Sequence, residues 1–137
     1  MSRRNRGVTL IELLVVIVVV GILAAIAYPS YRDQVRRSNR TEAKVALEQS
    51  AQALEKCFTR YMSYDSENCA AAVQLEGGGV STPHGHYVIT GNIDNSTFVL
   101  TATPQGGQRT DTKCPTLTMT ETGARGVNGQ PDQNKCW

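Results

Sequence analysis

At 137 residues and 14.9 kDa, with 40% hydrophobic and 19% charged residues, the chain has room for one small domain and excludes a large two-domain enzyme. The formal charge of +2 includes Arg3, Arg4 and Arg6; without its first seven residues the chain keeps eleven basic against twelve acidic side chains, a net of −1. That balance excludes a global electrostatic footprint for nucleic acid, so local charge has to be read segment by segment.

Residues 8–28, VTLIELLVVIVVVGILAAIAY, hold nearly all the strongly apolar character and carry one charge, Glu12. As a helix they reach about 31 Å, the thickness of a bilayer core. The arginine cluster just upstream keeps the N-terminus cytoplasmic and exports the polar remainder. A secretory signal would use the same cluster, the Leu/Val run and a cleavage site at Ala25-Ile26-Ala27. A plain single-pass anchor fits the length equally well. Neither accounts for Glu12, because an acidic side chain at the centre of a membrane helix costs about 2.5–3.5 kcal/mol and asks for a partner.

Gly7-Val8-Thr9-Leu10-Ile11-Glu12 resembles the processing site of the type IV prepilin family, and the resemblance continues through Gly21, the small residues 24–27, Pro29 and Tyr31. It implies that residues 1–7 are a basic leader, removed by a dedicated prepilin peptidase between Gly7 and Val8, and that Val8 is then N-methylated. In that family the usual first residue is Phe; here it is Val8. The resemblance also implies that Glu12, four residues beyond the new terminus, pairs with the terminal amine of a neighbouring subunit, with Gly21 and Pro29 as further assembly positions.

Residues 29–61 continue as an amphipathic helix. Val35, Ala43, Leu47, Ala51, Leu54, Phe58 and Tyr61 recur at helical spacings, with Arg36, Arg37, Arg40, Lys44, Glu48, Glu55 and Lys56 around them. Pro29 is expected to kink this long helix rather than end it. Residues 62–137 form a head. Gly77-Gly78-Gly79 and Pro83 mark 62–85 as a connecting loop. Three strands are expected within 86–120: 86–90 with Tyr87 and Ile89 inward, 97–103 with Phe98, Leu100 and Ala102 inward, and 115–120 with Leu117 and Met119 alternating with threonines. The expected fold is α+β: a long N-terminal helix, membrane-spanning in its first half, packed against a small antiparallel sheet.

A head this small and poor in Leu, Ile and Phe needs staples. In an exported chain Cys57, Cys69, Cys114 and Cys136 read as a disulfide framework with three alternative pairings. Cys57–Cys69, tying the helix end to the loop, and Cys114–Cys136, tying the third strand to the C-terminus, form the favoured set. The spacings contain no C-x-x-C clip, so no zinc is expected. The stretch 98–104, Asp111 to Cys114, Thr116 to Thr118 and the final Cys136-Trp137 resemble the PilE-type minor pilins of type IVa pili. That resemblance implies a disulfide-bounded C-terminal loop, 115–135, that contacts subunits or partners.

Chemical sites are sparse. His84-Gly85-His86 flanks a glycine with no carboxylate cluster in sequence beside it and reads as a solvated loop. The triple glycine lacks the Lys-Ser/Thr of a phosphate loop, and Ser, His and Asp occur without a nucleophile-elbow context. No catalytic residue, metal or cofactor is expected, and the chain reads as a non-enzyme. The run from Arg32 to Lys44 carries a local charge of +3, read first as a solvated or lipid-facing collar, then as an inter-subunit surface, and last as a DNA contact, since it lacks interleaved aromatics.

The reading is a structural subunit, a minor pilin, of a type IV pilus. The resemblance implies other pilin subunits, the prepilin peptidase, the membrane and the inner-membrane assembly machinery as partners, and passage from the inner membrane of a Gram-negative cell to an extracellular filament. Two alternatives stand beside it. One is a pseudopilin of type II secretion, whose common major form uses calcium where this chain has Cys114 and Cys136. The other is a membrane-tethered receptor for DNA or a surface ligand that does not polymerise.

Overall fold

The computed structural model describes residues 7–133 and 135–137; Arg3, Arg4 and Arg6 of the expected leader lie outside them. The chain divides into two compact units, Met1–Val35 and Arg36–Trp137. One helix, α1 (Leu10–Tyr61), runs through the boundary, and Pro29 stands inside it.

In the first unit every described residue is exposed. Every large apolar side chain from Val8 to Tyr28 is exposed, from 46% at Leu14 to 81% at Leu10. Such a helix, apolar on all sides, needs a solvent other than water or the surfaces of other molecules.

In the second unit the helix becomes amphipathic. Ala43, Leu47 and Leu54 are fully buried, and Ala46, Ala51, Cys57 and Phe58 pack partly against the same cluster. Val35 and Tyr61, expected on this stripe, remain exposed and half-buried respectively. Arg40, expected on the polar side, is buried, because residues 40, 43, 47 and 54 share one helix face.

A six-stranded antiparallel sheet completes the head in the order β1 (Val80–Ser81), β2 (Tyr87–Ile93), β3 (Phe98–Pro104), β4 (Leu117–Thr120), β5 (Arg125–Val127), β6 (Gln130–Pro131). Its register aligns Ile89, Ala102, Leu117 and Val127 in one cross-strand row, all buried in the cluster that contains Leu47 and Leu54. Where the sequence suggests three strands, the sheet has twice that number. β2 extends past Thr90 because Gly91, which looks like a breaker, is overlaid by the side chains of Ile93 and Leu100, whose atoms lie 3.0–3.3 Å from where its Cβ would stand.

The segment 62–85 is likewise not a bare loop. It contains α2 (Ala70–Glu76), capped by Cys69, whose sulfur accepts the Ala72 N–H at 3.4 Å, and it buries Ala72 and Leu75. Tyr64, in the same segment, stacks on Phe58 at 4.6 Å and meets Phe98 edge-on at 5.0 Å, joining the end of α1 to β3. The expected loop 115–135 holds β4, β5 and β6, so it continues the sheet.

Candidate functional site

The first unit presents an exposed apolar surface. Gly7 and Val8, the expected processing pair, precede the helix and are exposed. Thr9 and Glu12 form a reciprocal N-terminal cap: the Glu12 N–H donates to Thr9 Oγ1 at 3.3 Å, and the Thr9 N–H donates to Glu12 Oε2 at 3.5 Å. Thr-x-x-Glu is a sequence signature for this box, and it gives Glu12 a local partner within the single chain. One carboxylate oxygen is engaged there, and the side chain remains at the exposed mouth of an apolar helix. No atom lies within 4 Å of where a Gly21 Cβ would stand, so the backbone there is open to close approach by another helix.

The second unit is a stapled head. Cys57 bonds Cys69 and Cys114 bonds Cys136, closing separations of 12 and 22 residues, each worth about 3 kcal/mol by chain entropy. The C-terminus is latched further. Asp132 Oδ2 accepts the N–H groups of Cys136 and Trp137 at 2.8 and 2.9 Å, the Trp137 indole donates to the Gly126 carbonyl at 2.9 Å, and the Arg125 guanidinium lies over the indole while reaching Glu48 at 2.9 Å.

The head also holds a buried polar network, invisible in composition. Arg40 donates two hydrogen bonds to Asp111, at 2.6 and 2.7 Å, with both side chains at least nine-tenths buried. Gln108, carried with Asp111 by the 3-10 turn Gly106–Thr110, donates to Asp111 and to the Tyr87 hydroxyl, and accepts from Asn39. Burial pushes the Tyr87 hydroxyl up from the ordinary tyrosine value, with Asp111 adding to the rise and the Gln108 bond and Arg40 opposing it. At the other end of the head, Tyr64 is pushed up to about 12 by burial, then by its hydrogen bond to Glu55 and the charges of Glu55 and Glu121.

His84 stands in an exposed turn, as the solvated-loop reading expects, and is tied to α1. Glu42 accepts its backbone N–H at 3.0 Å and lies 3.0 Å from its Nδ1. Burial works to raise the Glu42 carboxyl, but the bonds from the His84 N–H, Thr82 and the His84 ring outweigh it and hold the group below the ordinary glutamate value. Among the described residues no three His, Cys, Asp or Glu side chains gather as a metal site.

Residues 2–28 match the family described as the prokaryotic N-terminal methylation motif, and residues 29–118 match the one described as type IV minor pilin ComP, DNA uptake sequence receptor. The chain belongs to the type IV pilin family. The pilin is 35% identical to the type IV major pilin protein PilE of Neisseria gonorrhoeae over 75% of its own length and 58% of that protein's. It is 36% identical to the fimbrial protein EcpC of Eikenella corrodens over 92% of its own length and 71% of that protein's. The chain thus spans less than two thirds of the gonococcal relative. A type IV pilin of Shewanella oneidensis superposes with a TM-score of 0.50 at 25% identity, covering 74% of this pilin and 97% of that chain. The family is one of structural filament subunits and receptors, not of enzymes.

Proposed function

We propose that this pilin is a minor subunit of a type IV pilus, cleaved between Gly7 and Val8, methylated at Val8 and polymerised from the inner membrane with other pilins. The observation that carries the reading is the helix from residue 8 to 28, wholly uncovered within its own chain and bearing one carboxylate at its mouth. In the membrane those side chains face lipid; in a filament they face the helices of neighbouring subunits. Glu12 would exchange its weak cap contact for the Val8 ammonium of the preceding subunit, a charge-assisted bond in a low-dielectric core. Gly21 would let two helices approach, and the head would be carried outward as a passive, stapled body.

The test is Glu12→Gln in a pilus-forming host. Surface filament incorporation is expected to be lost while the monomer's head melts as before, because the hydrogen bonds of Glu12 are to Thr9, within the first unit. A lower melting temperature in the monomer would overturn this division. Intact mass of the same material checks processing, with a chain beginning at N-methyl-Val8 expected.

A second reading, contact with DNA during uptake, is favoured by the family description that residues 29–118 match. It adds a ligand for the head without changing the role of the helix. Competition between labelled duplexes of different sequence for the intact pilin tests it.

A further inference from the structure

The head carries ten basic and ten acidic side chains between Arg36 and Trp137 and is neutral as a whole, yet half of those cations line one concavity. Arg37, Arg40 and Lys44, with Thr41, form its wall on α1, and Lys113 and Lys135 form the opposite wall, around a volume of about 360 Å³. Among the described residues that line it there is no carboxylate. Asp111 grips Arg40 from behind and Asp132 draws on Lys44 from the side. The Cys114–Cys136 bond builds the second wall, since Lys113 and Lys135 each directly precede one of the bonded cysteines and lie far apart in sequence. Lys44 is held below the ordinary lysine value, first by burial and then by the charges of Arg40 and Arg125, with Asp132 opposing them. A cation in that position is stabilised by any anion that enters.

We propose that this pocket binds the phosphate of an acidic phospholipid headgroup at the surface of the membrane that holds the pilin before assembly. The inference rests on the membrane insertion of residues 8–28 proposed above. Arg37 follows Tyr28 by nine residues, a chain that reaches at most about 32 Å even when fully extended. The pocket is therefore tethered close to headgroups, where effective concentrations are in the millimolar range and a weak anion site is filled. DNA fits less well. A duplex held at physiological salt needs several phosphates neutralised along its backbone, and a neutral head with one closed cluster of cations offers a seat for a single phosphate.

The test reconstitutes the full chain in nanodiscs of phosphatidylcholine alone and of equal parts phosphatidylcholine and phosphatidylglycerol, and counts the lipids that stay bound by native mass spectrometry. One phosphatidylglycerol is expected to be retained in preference to phosphatidylcholine. Arg37→Gln, Lys44→Gln and Lys135→Gln should each lower that retention about fivefold, Lys44→Arg should restore it, and Lys56→Gln, outside the pocket, should leave it unchanged. Equal retention of the two lipids, or an equal loss with Lys56→Gln, overturns the pocket while leaving membrane insertion intact. Failure to enter phosphatidylcholine discs sinks both readings. Displacement of the retained lipid by a short DNA duplex at matched phosphate concentration assigns the pocket to DNA and overturns the lipid.

Discussion

The two halves of α1 share one helix and differ both in composition and in what they bury. From 8 to 28 the helix is continuously apolar and buries nothing within its own chain; from Arg36 onward it is mostly polar, yet Ala43, Leu47 and Leu54 reach full burial against the sheet. Apolar content alone therefore says little about which half stabilises the folded monomer. What decides is the presence of a second layer, and only the second half has one. The first half keeps its apolar surface for another molecule, lipid or protein.

The comparison breaks most sharply at the buried ion pair. Asp111→Ala removes the bidentate partner of the buried Arg40 and one of the acceptors of Gln108, and a loss of about 3–5 kcal/mol is expected in chemical denaturation of the monomer. Replacing both Arg40 and Asp111 with apolar residues of similar volume should cost far less, because the charge and its desolvation leave together. If Asp111→Ala melts like the parent, the network is not part of what holds the head.

A matched pair of leucines sharpens it next. Leu47→Ala removes a fully buried side chain and should cost about 2–5 kcal/mol. Leu14→Ala, the same chemistry on the same helix, removes a side chain that is 46% exposed in the monomer and should leave the head's unfolding midpoint unchanged, lowering filament yield instead. Equal effects of the two on the monomer would mean that the first half is covered by its own chain.

The parts of this fold that are legible from sequence are those whose period is long enough to register. A helix of 52 residues shows its apolar run and then its stripe, and the seven-residue strands β2 and β3 show their alternation. Strands of two or three residues, β1, β5 and β6, hold too few side chains to alternate, and they form because the register of β2 and β4 offers them an edge. α2 is hidden by its flanking cysteine and glycines, although three consecutive alanines favour a helix once Cys69 caps it. Arg40 is the instructive miss. Its position is in phase with Ala43 and Leu47, so periodicity places it inside while residue type argues for solvent, and the partner that settles the conflict lies 71 residues away. At the candidate site, Glu12 is conspicuous as the one charge in an apolar run, and its cap with Thr9 is written in the Thr-x-x-Glu spacing. The gathering of Lys113 and Lys135 beside Lys44 is not, because it depends on which cysteines pair.

The smallest effect contrasts two carboxylates on the same helix. Glu42 accepts hydrogen bonds from the 82–84 turn and is held below the ordinary glutamate value, although burial alone would raise it. A depressed acid contributes stability above its unfolded pKa, and that contribution fades as pH falls through the ordinary glutamate range toward the lowered folded value. Glu42→Gln should therefore flatten the acid limb of the monomer's stability curve and change little at pH 7 beyond a weakened contact with His84, whose ring is 75% exposed; the whole effect should stay under about 1 kcal/mol. Glu12→Gln should remove filaments and leave the head's melting at pH 7 unchanged, since its hydrogen bonds are to Thr9 in the first unit. An acid limb that responds to Glu12 and not to Glu42 would invert the assignment of the two halves of α1.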